Sequence, residues 1–203
     1  MESVVACVAK GRPREFDVDA ALAEALRVFW SKGYEGTSLT DLTEAMGITR
    51  PSLYAAFGNK ESLFRKALDL YEREKLAYVG EALKAPTARE VAERLLWGSL
   101  GIYCSECEPR GCLRVINSVA CGVEAESIRA EVLARRASSH RAIIDRFVRA
   151  KEEGDLPPQT DPEALADYLG AVIQGISLQA GAGATREQLD AVAKTCLAMW
   201  PSR

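Results

Sequence analysis

Four thiols lie close together in the middle of the chain and are the first candidates for chemistry. They fall within 18 residues around a predicted loop: Cys104, Cys107, Cys112 and Cys121. The spacing of Cys104 and Cys107 suits a pair of zinc ligands, but the second pair lacks that spacing. A thiol activated by the nearby cations Arg110 and Arg114 would instead serve as a redox or electrophile sensor. Buried cysteines also act as small apolar side chains, and Cys112 and Cys121 lie in helical sequence. All three interpretations stay open at this level.

A second group of side chains is suited to binding. One face of a predicted helix carries hydroxyl and guanidinium groups, because Leu53 and Phe57, four residues apart, turn the opposite face inward. Such groups donate hydrogen bonds to the base edges and phosphates of nucleic acids. The outward residues are Thr49, Arg50, Ser52, Tyr54 and Ala55.

The stretch 38–57 positions this face. Gly47 supplies the left-handed residue that ends a first short helix, and Thr49 caps a second. Two short helices joined by a tight turn, with a polar face on the second, form the helix-turn-helix that enters the DNA major groove. We therefore predict this motif at 38–57, with Arg50 and Ser52 at base edges and Thr49 as a further candidate.

The overall charge gives no support to DNA binding. The chain of 203 residues has 26 Lys and Arg against 29 Asp and Glu, a formal net charge of −3. Attraction to phosphates must then come from a few well-placed cations. A hydrophobic content of 48%, with 7% aromatic residues and many alanines, predicts an all-α protein.

A larger part of the chain resembles a known family. The segment GRPREFD, the run ALRVFWSKGYEGTSLTDLTEAMGITRPSLYAAFGNKESLF and the helical remainder resemble the TetR family of bacterial repressors. The close match covers roughly residues 11–68. The resemblance implies an all-α fold of about nine helices, with an N-terminal three-helix DNA-binding domain and a C-terminal helical domain that binds a ligand and dimerises. We expect a flexible basic arm at 1–14, the DNA-binding domain at 15–75 and the second domain at 76–203.

Further residues are expected to contact DNA phosphates: Thr37, Ser38, Tyr54 and Lys60. Thr37 and Ser38 precede a helix, whose first N–H groups bind anions. Lys60 stands in the first turn of the next helix, where the helix dipole opposes a cation and a nearby phosphate would reverse that effect. The resemblance implies the same role for Lys60. It also suggests that Arg12 and Arg14 form an arm that reaches phosphates or the minor groove.

The C-terminal half is expected to bind a small molecule and a second copy of the chain. The resemblance implies an effector pocket within 87–153, with these candidates for its polar or aromatic lining: Trp97, Tyr103, Arg110, Arg114, Asn117, His140 and Arg141. Among them His140, in a polar stretch, is predicted to be a solvated surface residue. Small residues near the C-terminus, such as Gly170 and Gly175, permit close helix packing, and a two-fold axis would give a four-helix bundle. The resemblance favours a homodimer on a palindromic operator.

Other functions find little support. With one histidine, no glycine-rich phosphate loop and no nucleophile elbow, an enzyme is not expected, and a thiol enzyme would have only His140 as a base. No apolar stretch is long enough to span a bilayer, and we expect a cytoplasmic protein without a cofactor. The prediction is a repressor of transcription, released from DNA by a small-molecule or thiol-reactive signal. The alternative is a cysteine-based redox or metal sensor of the same fold.

Overall fold

The computed structural model describes residues 16–119, 122 and 125–201. Within those ranges the chain forms α-helices and no β-strand, which confirms the all-α prediction. The helices are α1 (Val18–Gly36), α2 (Leu39–Met46), α3 (Arg50–Phe57), α4 (Lys60–Lys75), α5 (Ala77–Ala82), α6 (Ala88–Tyr103), α7 (Leu113–Val119), α8 (Glu126–Glu152), α9 (Pro162–Gly181) and α10 (Arg186–Ala198). Arg12, Arg14 and Cys121 lie outside the described residues.

The described ranges hold ten helices instead of about nine. The sequence pattern predicts one continuous helix from Lys60 to about Leu83, but the backbone at Leu76, with φ −105° and ψ 3°, leaves the helical region and separates α4 from α5. Leu76 is nevertheless buried. The break therefore redirects the chain inside the core, where no proline or glycine marks it in the sequence.

Aromatic packing holds α1 against α4. Phe29 meets Phe64 edge to face, with ring centroids 5.1 Å apart, and Trp30 meets Tyr71 in the same way at 4.8 Å. All four rings are fully buried. Such pairs contribute about 0.5–1.5 kcal/mol each beyond the burial of apolar area. The first and fourth helices thus form the rigid frame on which α2 and α3 rest.

Two glycines set the directions of the short helices. Gly33 has φ 71° and ψ 170°, which breaks α1 near its end, and Gly47 has φ 63° and ψ 30°, the left-handed conformation that ends α2. Ser38 caps α2 in a reciprocal capping box with Asp41, and Thr49 caps α3. The predicted helix-turn-helix is thereby confirmed, and its boundaries follow from these local signals.

The remaining helices pack as a second group. The core between α8 and the C-terminus includes Phe147 and Trp200, whose rings meet edge to face at 5.6 Å. Helix α7 lies between this group and α1, and it contacts α8 and α9 as well. No helix in the described part of the chain combines the length and the apolar character needed to cross a bilayer.

Candidate nucleic-acid interface and ligand cavity

The first turn of α3 presents the side chains predicted to reach base edges. Thr49 and Arg50 are exposed and Ser52 is half-buried. Thr49 Oγ1 accepts a hydrogen bond from the Ser52 backbone N–H at 3.3 Å, and the two hydroxyl oxygens lie 3.0 Å apart. On the opposite side Leu53 and Phe57 are buried. The apolar face anchors α3, and the polar face is accessible to a partner.

Arg50 is held by a contact that the sequence did not indicate. Its Nη2 donates a hydrogen bond to Thr40 Oγ1 at 2.9 Å. Thr40 belongs to α2, so this bond joins the two helices of the motif through exposed side chains. No carboxylate pairs with Arg50 among the residues that the structure describes, and its guanidinium group is therefore available to an acceptor on DNA.

The two residues before α2 differ from each other in orientation. Thr37 is 1% exposed, and its hydroxyl donates to the Gly33 carbonyl at 2.6 Å. The expected phosphate contact through this hydroxyl is therefore not available in this structure, because the break at Gly33 turns the side chain inward. Ser38 is exposed, and its Oγ accepts from the Asp41 N–H at 3.0 Å. Hydrogen bonds from Lys32 and from Ser38 hold the pKa of Asp41 well below its usual range.

Lys60 finds a partner within the protein. Its Nζ lies 4.5 Å from the centre of the Tyr34 ring, a cation–π contact. Burial lowers the pKa of Lys60, while the carboxylates of Glu35 and Asp41 oppose that shift. The ring offsets the unfavourable position of this cation in the first turn of α4, so the position no longer requires a phosphate. Tyr54, on α3, is 50% exposed.

A cavity of about 370 Å³ lies between α5, α6, α7, α8 and α9. Its apolar wall includes Leu95, Val115, Ile143 and Ile173. Its polar lining consists of Tyr78, Tyr103, Cys112, Arg114, Arg136, Ser139, His140, Asp167 and Gln174. This volume and this mixture of apolar surface with a few polar groups are typical of sites for small molecules.

The predicted lining residues are divided by the structure. Tyr103 and Arg114 lie in the wall of the cavity. Trp97 is half-buried but does not line it, and Arg110 is exposed on the loop before α7. Arg141 is also exposed and pairs with a carboxylate one helical turn away at 3.0 Å. Trp97 and Arg141 therefore lie outside the lining of this cavity.

The cavity contains polar groups that sequence reasoning missed or misplaced. The polar stretch around His140 predicts a surface position, but His140 lines the cavity, and its Nε2 lies 2.9 Å from Asp167 Oδ1. Asp167 of α9 lies beside this face of α8, and the His140 side chain remains 34% exposed. Arg136 and Tyr78 also line the cavity. The four-residue spacing of Arg136 and His140 was an available signal, since it places both on one face of a helix.

Asn117 joins α7 to α1 instead of lining the cavity. It is 2% exposed, its Oδ1 accepts from the Tyr34 backbone N–H at 2.7 Å, and its Nδ2 donates to the Leu113 carbonyl at 2.8 Å. It packs beside Gly33, at the break of α1. Because α7 also contributes Arg114 to the cavity wall, this short helix contacts both the cavity and the DNA-binding half.

Ion pairs connect α4 with α8. Arg135 contacts Asp69 at 2.6 Å, Glu72 at 2.9 Å and Glu131 at 2.6 Å. Glu72 also pairs with Arg114 at 3.3 Å. Apart from Asp69, which is exposed, these charges are partly buried, and such networks are worth more than isolated surface pairs. Helix α4, which directly follows α3 in the chain, is therefore linked to the cavity wall by the ion pair between Glu72 and Arg114.

The thiols do not form one site among the described residues. Cys104, Cys107, Cys112 and Cys196 are free, and no cluster of three or more metal-ligating side chains occurs in the described ranges. Cys112 is 3% exposed and lines the cavity, and the Tyr71 hydroxyl donates to its Sγ at 3.3 Å. Cys107 is exposed. Cys112 is therefore the thiol that a molecule in the cavity would meet.

Comparisons with known proteins agree with this geometry. Residues 21–67 match the family described as bacterial regulatory proteins, tetR family, and residues 99–196 match the tetracyclin repressor-like C-terminal domain. The HTH-type transcriptional repressor ComR of Escherichia coli is 38% identical over 200 residues, which cover 96% of this chain and 95% of ComR. The transcriptional regulator YezE of Bacillus subtilis is 36% identical over 161 residues, 78% of this chain and 83% of YezE.

A solved structure is also similar over nearly the whole chain. A mutant of the TetR family transcriptional regulator CifR, in which three cysteines are replaced, forms a complex with a 26-bp double-strand operator DNA. Its TM-score is 0.89 with 45% identity, and the match covers 94% of this chain and 100% of that one. The chain therefore belongs to the TetR family of bacterial regulatory proteins and is a helix-turn-helix transcriptional regulator, not an enzyme.

Proposed function

We propose that two copies of this chain bind a palindromic operator and repress transcription until a small molecule enters the cavity. The observation that carries this proposal is the accessible polar face at the start of α3, supported from behind by buried Leu53 and Phe57. A single major-groove helix contacts few base pairs, and a two-fold dimer supplies the missing affinity and specificity. The protein would act in the cytoplasm, where the bacterial chromosome lies.

Each exposed side chain has a distinct role in this proposal. Arg50 and Ser52 contact base edges. Thr49 also contacts DNA when its hydroxyl gives up its hydrogen bond with the Ser52 hydroxyl. Ser38, Tyr54 and Lys60 contact phosphates, which fix register without reading sequence. Thr37 can contact a phosphate only through its main chain, because its hydroxyl is buried. The arm residues Arg12 and Arg14 keep their predicted role near the minor groove.

The second half of the chain is proposed to make the dimer. We divide the chain into a DNA-binding domain at 15–75 and an effector-binding and dimerisation domain at 76–203. On α9, Tyr168 is 41% exposed and Leu178 is 50% exposed, and Met199, just after α10, is 72% exposed. Gly175 has open space above it, which permits a second helix to approach closely. A second copy would cover these apolar side chains.

Release from DNA would follow from the position of α7. A ligand in the cavity meets Arg114, which pairs with Glu72 of α4, and α7 carries Asn117, which holds α1 at Tyr34. A ligand that prefers a different arrangement of α7 would shift α1 and α4, and with them the distance between the two recognition helices. The ligand must then weaken DNA binding by the same factor by which DNA weakens ligand binding.

A thiol-reactive signal is a second candidate because Cys112 lies in the cavity wall. Modification of its Sγ would displace the hydroxyl of Tyr71 and add volume directly before α7. A small thiol reagent such as N-ethylmaleimide should then release wild-type protein from DNA and leave Cys112→Ser bound. Release of both proteins to the same degree would assign the effect to another thiol.

The main proposal is tested by titrating the protein against a DNA duplex taken from the region upstream of the protein's own gene. The protein should prefer this duplex to a shuffled duplex of equal length and composition, and the preference should persist at physiological ionic strength. Equal affinity for the two duplexes would refute operator binding.

A further inference from the structure

Arg136 is a cation in the cavity wall that has no anionic partner in the part of the chain that the structure describes. It lies on α8, lines the cavity and is half-buried. Its Nη1 donates to Ser118 Oγ at 2.7 Å. In the described ranges no carboxylate lies within ion-pair distance of its guanidinium group. The groups that oppose the lowering of its pKa are the thiol of Cys112 and the phenol of Tyr103, neither of which is a carboxylate.

This environment is unfavourable for a guanidinium group by itself. Burial lowers the pKa of Arg136, and the neighbouring cation Arg114 lowers it further. The other arginines of this region have carboxylate partners: Arg114 contacts Glu72 and Arg135 contacts Glu131. A partly desolvated charge normally has a partner, because its lost hydration must be replaced by other interactions. Arg136 is the exception in this group.

Arg114, which lines the same cavity, also carries an unused hydrogen-bond donor. Its Nη1 donates to Glu72 and to Ser139, but its Nε is buried and has no hydrogen-bond acceptor among the described residues. The two guanidinium groups therefore offer N–H donors that the protein does not use. A carboxylate matches such donors well, since its two oxygens accept hydrogen bonds from a planar fork.

We propose that the cavity takes a small amphiphilic carboxylate, whose anionic group pairs with Arg136 and whose apolar body lies against the aliphatic wall. The wall offers Leu95, Val115, Ile143 and Ile173 for that body. The cavity's own carboxylate, Asp167, is paired with His140 and does not compete for Arg136. This inference rests on the proposed function, because it names the class of molecule that acts as effector.

The position of this anion site also accounts for release. A carboxylate between Arg136 and Arg114 would compete with Glu72 for the Arg114 guanidinium group, and Glu72 belongs to α4. Weakening that ion pair loosens a link between α7, which lines the cavity, and α4, the helix that follows α3. An uncharged molecule of the same shape would leave the ion pair in place.

The test compares acids with their uncharged amides on the purified full-length protein, without DNA. Isothermal titration measures binding of straight-chain acids from butanoate to decanoate, and of the corresponding primary amides, at neutral pH. For at least one chain length the acid should bind about tenfold more tightly than its amide or better. In Arg136→Gln the preference should fall to about twofold or less, and Arg136→Lys should retain part of it. The control Arg141→Gln, at an exposed arginine five residues further along the same helix, should keep the full preference for the acid.

Three results would overturn the proposal: equal affinity for acid and amide in the wild type, an unchanged preference in Arg136→Gln, or no binding by any acid of the series. Circular dichroism and urea unfolding check that each variant is folded. Operator titration on the same samples separates this inference from the proposed function. Protein that binds acids but has no operator preference would refute the proposed function alone, whereas operator binding without acid preference would refute the carboxylate site alone.

Discussion

The side-chain carbonyl of Asn117 accepts a hydrogen bond from the backbone N–H of Tyr34 at 2.7 Å. This contact joins residues 83 positions apart in the chain, one in α7 and one at the broken end of α1. Tyr34 in turn stacks under Lys60, the first residue of α4. A displacement of α7 would therefore be transmitted to the end of α1 and the start of α4 through this partly buried polar contact.

We predict that Asn117→Ala lowers the free energy of unfolding by about 1–3 kcal/mol, because it leaves the partly buried N–H of Tyr34 without its acceptor. Urea denaturation measures the change. Ser138→Ala, at an exposed position of α8, is the control and should change stability by no more than about 0.5 kcal/mol. Equal unfolding midpoints for the two variants would contradict the role of this contact.

Arg50→Ala should weaken binding to the operator by about 1–3 kcal/mol and relax the preference at one base pair of each half-site. The reason is that its guanidinium group, oriented by Thr40, is the strongest donor on the exposed face of α3. Fluorescence anisotropy with a set of singly substituted duplexes measures the change. Arg149→Ala, at an exposed arginine of α8, is the control. A uniform loss across all duplexes would place Arg50 at a phosphate instead.

Lys60→Ala should weaken binding to every duplex alike and reduce the slope of log affinity against log salt by about one, as expected for a lost phosphate contact. Lys60→Arg should retain most of the affinity. Lys66→Ala, at an exposed lysine of the same helix, is the matched control. If the salt dependence of Lys60→Ala equals that of wild type, Lys60 serves only its cation–π contact with Tyr34.

The ion pairs between α4 and α8 predict a pH dependence of stability. Burial alone would raise the pKa of Glu131, but hydrogen bonds from Arg135 and Arg65 overcome it and hold the pKa below its usual value. A carboxyl group with a lowered pKa stabilises the folded state above its unfolded pKa, about 4.3 for Glu. That contribution is lost as pH falls through the folded value.

Glu131→Gln should therefore lose part of the decrease in unfolding free energy that the wild type undergoes between about pH 5 and pH 3. Urea unfolding at a series of pH values gives the comparison. Glu152→Gln, at an exposed position near the end of α8, is the control and should follow the wild type. Parallel curves for the wild type and Glu131→Gln would show that the contacts of Glu131 with Arg135 and Arg65 contribute nothing to the pH dependence of stability.

The helix-turn-helix could be predicted because its determinants are local. Gly47 and the caps Ser38 and Thr49 act within a few residues of the turns that they form. The failure at Thr37 is also local in origin. The left-handed φ of Gly33 turns this hydroxyl inward, and a glycine near a helix end does not reveal which way the following chain will turn.

The cavity could be predicted only in part, because helices distant in the chain enclose it. Tyr103 and Arg114 could be predicted because they are an aromatic and a polar residue of the middle helices, to which the family resemblance assigns the pocket. The contact of His140 with Asp167 could not be predicted, because Asp167 belongs to α9 and no local sequence signal links the two residues. The link between Arg50 and Thr40 was missed for a similar reason, since it depends on how α2 and α3 cross.

The most direct test of the central claim compares a palindromic operator, mapped by footprinting upstream of its own gene, with a duplex of equal length in which one half-site is shuffled. Anisotropy titration with sedimentation analysis gives affinity and stoichiometry. The account predicts that two copies bind each palindrome, and that loss of one half-site weakens binding by about a hundredfold or more. One copy per duplex, with equal affinity for both, would contradict a homodimer that reads DNA through two α3 helices.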